Sequence, residues 1–257
     1  MNIDDLSNYI EGRAESVDAY RSIENLNTNM REYEEIEKFG GDVRVFSKSP
    51  NLPKIEISLA RGKKNVGPNI VIIDGDGAQF CHLVLKSYNS IVYLGGDVGR
   101  ARLKARMIVN DSASVFIGSG CTSNGLELNI SPPGCVIGDD CMFGRSVKVR
   151  SHTGHAFYDV NTKDVGTSSR LLHVEPHVWI GEGARIFKGG IIGACSIIGY
   201  ESLMISDLPR FSVASGVPAR EASKLNSKLW MRSFNSAHKD RALYYYKKYC
   251  DTGHICE

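Results

Sequence analysis

Residues 178–207 divide into five consecutive blocks of six, VWIGEG, ARIFKG, GIIGAC, SIIGYE and SLMISD. The third position of every block is a bulky apolar residue, and these positions are Ile180, Ile186, Ile192, Ile198 and Met204. A repeat of six fits neither the 3.6-residue period of a helix nor the two-residue alternation of one long strand. It is typical of short parallel strands joined by tight turns, which coil around a triangular prism with one large side chain of each strand inside.

The same period occurs upstream, where Ile137, Phe143 and Val149 are six residues apart. From residue 69 onward, strand-like runs alternate with turn-forming residues, as in NIVIIDGDG, HLVLKSYNS and IVYLGGDVG. We interpret these runs as early, irregular coils, because the terminal coils of a solenoid are commonly atypical. At the other end, prolines at 209 and 218 are expected to stop regular strand pairing.

The repeat is interrupted over residues 151–175, SHTGHAFYDVNTKDVGTSSRLLHVE, which contain three of the seven histidines. Insertions in a quasi-one-dimensional scaffold lie on its surface and often carry function. We therefore predict a loop ejected from the solenoid wall over residues 151–175, beside the most regular coils.

The predicted fold class is an all-β solenoid in three parts. Residues 1–65 are a non-repeat segment with a short helix at 30–39 and some strands, and residues 66–220 are the solenoid. Residues 221–257 are a C-terminal helical extension, because the spacing of Leu225, Leu229, Arg232 and Ser236 follows the helical period.

Composition excludes several classes of protein. Lys and Arg number 31 against 29 Asp and Glu, a net charge of +2 that is too balanced for a typical nucleic-acid-binding protein. The seven cysteines form no CxxC pair and lie mostly in apolar runs, as buried cysteines do in a reducing compartment. The polar N-terminus does not resemble a signal peptide, and no apolar run reaches 18 residues. We expect a cytoplasmic protein with no nucleic-acid partner and no integral membrane segment.

Residues 177–220, HVWIGEGARIFKGGIIGACSIIGYESLMISDLPRFSVASGVPAR, closely resemble the C-terminal signature of the hexapeptide-repeat acyltransferases, a left-handed parallel β-helix family. Residues 150–159, RSHTGHAFYD, resemble the R-[ST]-S-D-G-H-x-[IF]-[FY]-D segment of capsule and polysaccharide O-acetyltransferases. The chain departs from that segment at His152 and Thr153, where the pattern has Ser and Asp. The resemblance covers roughly residues 70–222.

The resemblance implies an O-acetyltransferase that moves acetyl from acetyl-CoA directly to a hydroxyl of a bacterial capsular or surface polysaccharide, without a metal. His155 stands at the position of the catalytic base, and a neutral imidazole suits removal of a hydroxyl proton near pH 7. Asp159 or a backbone group would fix the tautomer of His155. His152, three residues away, is a supporting residue or a second candidate base.

Trp179 precedes the inward Ile180, so its ring is predicted to face outward. By resemblance it lies beside the catalytic histidine, where its indole N–H or a backbone N–H would stabilise the oxyanion. The alternative is packing under the C-terminal helix or at a subunit interface. For acetyl-CoA we expect small residues that allow close approach and cations for its phosphates, namely Gly181, Lys188, Gly193, Ala194, Gly199 and Arg220.

The resemblance also implies a homotrimer with active sites between subunits. Four alternatives remain: an N- or O-acetyltransferase of a nucleotide sugar or small sugar, a covalent acyl-cysteine mechanism, a scaffold without activity, and a zinc enzyme resembling β-helix carbonic anhydrases. The zinc enzyme would draw on His152, His155, His173 and His177, although their spacing does not follow the coil period. The sequence does not identify the acceptor sugar.

Overall fold

The computed structural model describes residues 31–32, 43–47, 55–59, 69–74, 80–86, 89–96 and 103–250. In chain order the elements are β1 (Arg31–Glu32), β2 (Val43–Ser47), β3 (Ile55–Leu59), β4 (Asn69–Ile73), β5 (Phe80–Leu85), β6 (Ile91–Leu94), β7 (Leu103–Val109), β8 (Ser114–Ile117), β9 (Thr122–Ile130), β10 (Gly134–Ile137), β11 (Met142–Phe143), β12 (Val147–Arg150), β13 (His152–Tyr158), β14 (Val165–Ser169), β15 (Leu172–Val174), β16 (Trp179–Ile180), β17 (Arg185–Phe187), β18 (Gly190–Ile192), β19 (Ile197–Ile198), β20 (Leu203–Met204), β21 (Ser212–Gly216), β22 (Ala219–Lys224) and α1 (Ser236–Cys250).

Two sheets wind around one core. An eight-stranded sheet has the order β1-β2-β4-β6-β8-β10-β15-β18, and a twelve-stranded sheet contains the remaining solenoid strands. Within these sheets the neighbouring strands are parallel, except for β1 against β2 and β21 against β22. The chain is therefore a parallel β-solenoid.

The cross-section changes along the solenoid axis. The early coils are two-sided, and the nine-residue β9 pairs with both β11 and β12 of the next coil. From β10 onward each coil has three short strands, which define face 1 (β10, β15, β18), face 2 (β11, β16, β19) and face 3 (β12, β17, β20). Faces 1 and 2 meet at corner 1–2, faces 2 and 3 at corner 2–3, and faces 3 and 1 at corner 3–1.

The core confirms the six-residue repeat. Ile180 and Ile198 are fully buried, and Ile186, Ile192 and Met204 are at most 4% exposed. Paired residues of successive regular coils are eighteen apart, as in Trp179 with Ile197. Three blocks of six thus make one turn of the prism.

The solenoid begins earlier than the predicted boundary at residue 66. β2 pairs with β4 and β3 pairs with β5, both in parallel, and Val43 and Val45 lie in the central core. Residues 31–32 form a strand against β2, where a helix over 30–39 was predicted. The other residues of that predicted helix lie outside the described residues.

The interruption of the repeat is a hairpin. β13 and β14 pair with each other in antiparallel fashion and form a separate two-stranded sheet. The predicted loop over 151–175 extends too far, because Leu172 and Val174 are fully buried on β15. The hairpin leaves the solenoid after β12 of face 3 and returns to face 1, so it occupies corner 3–1.

The helix predicted from residue 221 begins only at Ser236. Residues 219–224 form β22 instead, since an antiparallel partner satisfies the backbone groups of β21. The Asn235 side chain caps α1 by accepting a hydrogen bond from the His238 amide at 2.9 Å. Tyr245 and Tyr249 of α1 pack against Ala194, Cys195 and Phe211. The helix therefore lies along corner 1–2.

Candidate active site

The hairpin at corner 3–1 carries two of the predicted site histidines. Its turn is fixed by Asp159, whose Oδ1 accepts hydrogen bonds from the amides of Asn161 at 2.8 Å and Thr162 at 3.0 Å. These bonds from Thr162 and Asn161 lower the pKa of the Asp159 carboxyl. Asp159 thus holds the turn of the hairpin, whereas it was predicted to fix the tautomer of His155.

His155 is exposed on β13, and within the described residues its imidazole makes no hydrogen bond. The hairpin also exposes apolar side chains, with Phe157 at 57%, Tyr158 at 61% and Val165 at 71%. Exposed apolar groups concentrated on one projecting element are typical of a surface that meets another molecule.

His152 is held more firmly than His155. Its Nε2 lies 3.0 Å from Oδ1 of Asn129, and the side chain is half-buried. Burial, followed by the positive charges of Arg150 and Lys86, lowers the pKa of His152. At neutral pH its imidazole is therefore uncharged, as a proton acceptor must be.

Trp179 lies on face 2, between Met142 and Ile197 of the neighbouring coils, and its ring is partly exposed. Its ring centroid is 6.2 Å from that of Trp230, with the two planes tilted by 45°. Trp179 thus faces the segment that precedes α1.

Trp230 belongs to a buried cluster that sequence reasoning missed. Its ring stacks on His177 at 4.1 Å and its indole N–H donates to the His177 carbonyl. Asp140 accepts from His177 Nδ1 at 2.7 Å and from Arg232 Nε at 3.0 Å. We call Asp140, His177, Trp230 and Arg232 the corner clamp. A second tryptophan within the polar run 224–236 was the one sequence signal for it.

One chain does not bring His155 and Trp179 together. The hairpin leaves from corner 3–1, whereas Trp179 lies on face 2, the face opposite that corner in a three-sided prism. A site that used both residues would need the hairpin of one copy and face 2 of another.

The residues predicted to bind acetyl-CoA also lie at different corners of the prism. Gly181 and Gly199 lie at corner 2–3, near Trp179, and Arg220 is exposed on β22. A Cβ on Gly181 would lie 2.8 Å from the Tyr200 amide nitrogen, so the next coil occupies the space beside this glycine.

The other three predicted residues do not lie with this group. Gly193 and Ala194 are buried at corner 1–2, where the Ala194 amide donates to Glu175 at 2.7 Å beneath α1. Lys188 is exposed at corner 3–1, where its amide donates to Arg150.

The four histidines of the zinc alternative are dispersed. His152 and His155 lie on the hairpin, His173 on face 1 and His177 in the corner clamp. Among the residues that the structure describes, no three His, Cys, Asp or Glu side chains form a group that could hold a metal ion.

Five of the six described cysteines do not suit a covalent acyl-enzyme, and the sixth, Cys250, is half-buried at the end of α1. Cys81, Cys121, Cys135, Cys141 and Cys195 are buried. Burial raises the pKa of Cys81 to about 12 and also raises the pKa of Cys135. A thiol with such a pKa is not ionised at neutral pH and is a poor nucleophile.

A cavity of about 340 Å³ lies on the outer surface of β7 and β9. The polar residues that line it are Lys104, Arg106, Asn124, Glu127, Arg145 and Ser146. Three cations against one carboxylate favour an anionic ligand. Glu127 is two residues from Asn129 on the same side of β9, about 7 Å along the strand, so the cavity and His152 share one surface.

In the described part of the chain, no helix has the length and apolar character needed to cross a membrane.

Comparison with known proteins finds similarity to several acetyltransferases. It is 27% identical over 121 residues to the polysialic acid O-acetyltransferase of Escherichia coli O1:K1 / APEC, a match to 47% of this chain and 39% of that protein. It is 34% identical over 92 residues to the galactoside O-acetyltransferase of Escherichia coli strain K12, with 36% and 45% covered. The chain thus spans about two fifths of the length of the first relative. No family model matches it.

Among solved structures, the chain resembles the polySia-specific acetyltransferase NeuO, with a TM-score of 0.63, 23% identity, and 80% of this chain and 98% of that chain covered. It also resembles the polysialic acid O-acetyltransferase OatWY, with a TM-score of 0.60, 17% identity, and 77% and 100% covered. At these identities the likeness establishes the fold alone, the left-handed parallel β-helix of those acetyltransferases.

Proposed function

We propose that this chain, whose relatives are O-acetyltransferases with the hexapeptide-repeat fold, transfers an acetyl group from acetyl-CoA to a hydroxyl of an acidic surface polysaccharide. The observation that carries the proposal is the hairpin of corner 3–1. It interrupts the solenoid between β12 and β15 and presents His155 and the neutral His152 at the surface. A scaffold without activity would have no use for such an element.

The chemistry requires a base, and His155 takes that role in our proposal. Its neutral imidazole removes the proton of the sugar hydroxyl while the hydroxyl oxygen attacks the thioester carbonyl carbon. The tetrahedral oxyanion accepts a hydrogen bond from a backbone N–H or from the Trp179 indole. Collapse breaks the C–S bond, and the imidazolium returns the proton to the leaving thiolate of CoA.

An acidic acceptor is supported by the charge of the surface around the hairpin. Arg150 and Lys86 lie close enough to His152 to lower its pKa, and the cationic cavity on β7 and β9 continues the same surface. A polymer with regularly spaced carboxylates would contact both regions. The first relative acts on polysialic acid, a polymer of that kind.

The active site in this proposal lies between two copies of a homotrimer. His155 and Lys188 come from one copy, and Trp179, Gly181, Gly199 and Arg220 come from the next. The support is the separation of corner 3–1 from face 2 within one chain, together with the exposed Phe157, Tyr158 and Val165 of the hairpin. Gly193 and Ala194 are left out, since both are buried: α1 packs on Ala194, and the backbone of Pro209 and Arg210 lies against Gly193.

The experiment is acetyl transfer by the full chain from labelled acetyl-CoA to three acceptors: an acidic capsular polysaccharide, a neutral polysaccharide and a nucleotide sugar amine. We expect transfer to the acidic polymer, with acetyl released by mild alkali because it is bound as an ester. Alkali-stable acetyl on the amine would instead establish the N-acetyltransferase alternative.

Replacement of His155 tests the mechanism. His155→Ala should lower kcat by about 10²–10⁴-fold, the usual contribution of a general base. Asn161→Ala, an exposed change in the same hairpin, is the matched control and should retain activity. Near-normal activity of His155→Ala in a folded protein would show that another group is the base.

A further inference from the structure

Three side chains form a hydrogen-bonded relay along corner 3–1. They come from successive coils: Asn110 follows β7, Asn129 is near the end of β9, and His152 begins β13. Asn110 Nδ2 donates to the Ile130 carbonyl at 2.9 Å and to Asn129 Oδ1 at 3.1 Å. Asn129 Oδ1 also lies 3.0 Å from His152 Nε2. The relay therefore connects a backbone carbonyl to an imidazole on the hairpin.

The order of donors and acceptors in this relay determines the tautomer of His152. A backbone carbonyl can only accept, so the Asn110 atom that faces the Ile130 carbonyl is the amide nitrogen. That nitrogen donates to Asn129, whose facing atom must then be the oxygen. Because the same oxygen contacts His152 Nε2, this ring nitrogen carries the proton. In the neutral ring the lone pair is consequently on Nδ1.

His152 Nδ1 makes no hydrogen bond to any of the described residues, and the side chain is only half-buried. The charged groups that act on the ring are Arg150 and Lys86, both cations, which disfavour a second proton. A neutral imidazole with protonated Nε2 offers one acceptor at Nδ1 and no donor there. Such an atom suits a ligand that donates an O–H.

We propose that Asn110 and Asn129 are positioning residues that hold His152 with Nε2 protonated, so that Nδ1 accepts a hydrogen bond from a hydroxyl of the saccharide acceptor. This inference rests on the proposed function for the identity of the ligand. A site that hydrogen-bonds a hydroxyl discriminates strongly against saccharides that lack it. His152 would thus select the acceptor, while His155 acts as the base.

The first test is the tautomer of His152 in the full chain, read from the ¹⁵N chemical shifts of its ring nitrogens in histidine-labelled protein. We expect a protonated Nε2 and an unprotonated Nδ1. In Asn129→Leu the neutral ring should become a mixture of both tautomers, whereas Asn161→Leu, a change at an exposed asparagine of the same hairpin, should leave it fixed. An unchanged tautomer in Asn129→Leu would overturn the relay.

The second test separates acceptor selection from catalysis. His152→Ala and Asn129→Leu should raise KM for the saccharide about tenfold, the effect of one lost hydrogen bond, with KM for acetyl-CoA unchanged. Asn129→Asp retains the acceptor oxygen, so His152 should again have a protonated Nε2, unlike in Asn129→Leu. The added negative charge should raise the pKa of His152 and shift the pH dependence of KM for the saccharide to higher pH. A loss of kcat in His152→Ala as large as that in His155→Ala would overturn the proposal and make His152 the base.

The outcomes also separate this inference from the proposed function. If no saccharide accepts acetyl, the proposed function fails, but the tautomer measurement still tests the relay. If acetyl is transferred and the saccharide leaves the Nδ1 shift unchanged, the proposed function stands and the role of His152 is refuted.

Discussion

One position of corner 1–2 has a positive φ in four successive coils. The residues at this position are Asp140, His177, Cys195 and Phe211, and each has a φ between 55° and 61°. This left-handed conformation costs a residue other than glycine about 1–2 kcal/mol. Contacts with the C-terminal segment offset that cost. Arg232 binds Asp140, and Trp230 stacks on His177. Cys195 and Phe211 pack against α1. The turns of the repeat are therefore also the docking positions of the C-terminal segment.

Glycines at the corners have a related role, because the next coil packs directly on them. Gly181→Ala would place a Cβ 2.8 Å from the Tyr200 amide nitrogen, and backbone cannot give way easily. We expect a loss of about 1–3 kcal/mol, typical of an overpacked position, seen as a lower Tm in thermal unfolding. Gly166→Ala is the control, since nothing lies within 4 Å of its Cβ. Equal Tm values for the two variants would refute this packing argument.

The C-terminal segment is attached by charged groups as well as by apolar contacts. Asp140 is 2% exposed and faces His177, Arg232 and Arg241. Burial raises the pKa of Asp140, but the hydrogen bond from His177 and the charges of Arg232 and Arg241 outweigh it, so the pKa lies below the ordinary 3.8. Its contribution to stability is complete above that pH and is lost as pH falls through the lower folded value.

Removal of one charged partner of Asp140 should therefore loosen the C-terminal segment without unfolding the solenoid. We expect Arg232→Ala to weaken docking by about 3 kcal/mol, the low end for a broken buried ion pair, because His177 and Arg241 remain. Amides of α1 should then exchange with solvent roughly 10²-fold faster. Acidification should weaken docking progressively, beginning below pH 3.8 and becoming complete below the lower folded pKa of Asp140. Lys239→Ala, an exposed change on α1, is the control. Unchanged exchange in Arg232→Ala would show that α1 is held by its apolar contacts alone.

At the scale of the whole molecule, the three-sided section decides which residues one copy can bring together. Corner 3–1 and face 2 are on opposite sides of the prism, so the fold of one chain separates the hairpin that carries His155 from the strand that carries Trp179. Closed cyclic assembly places the corner of one prism against a face of the next. The proposed active site is thus a property of the oligomer.

Mixing two inactive variants tests this arrangement. His155→Ala and Trp179→Ala should each lose most activity, and co-refolded mixtures should regain it, because some sites combine an intact histidine with an intact tryptophan. Random assortment in a cyclic trimer gives about a quarter of the sites intact. Mixtures that remain as inactive as the separate variants would show that both residues act within one chain.

The sequence by itself determined the regular coils. The inward residues from Ile137 to Met204 were predicted correctly because a six-residue apolar period is a local signal. The histidine-bearing interruption was also visible, since it breaks that period. Motif likeness selected His155 and Trp179 as candidates.

Only the tertiary structure decided how these parts meet. Residues 219–224 pair as a strand although their spacing suggested a helix, because β21 offers unpaired backbone groups that no local pattern records. The corner clamp joins residues 37 to 92 positions apart, and the relay to His152 crosses three coils. Such contacts depend on the coil pitch and on which corner each turn occupies. The six-residue period determines the local conformation of each block. Which side chains become neighbours depends instead on how all the preceding turns place each coil and corner.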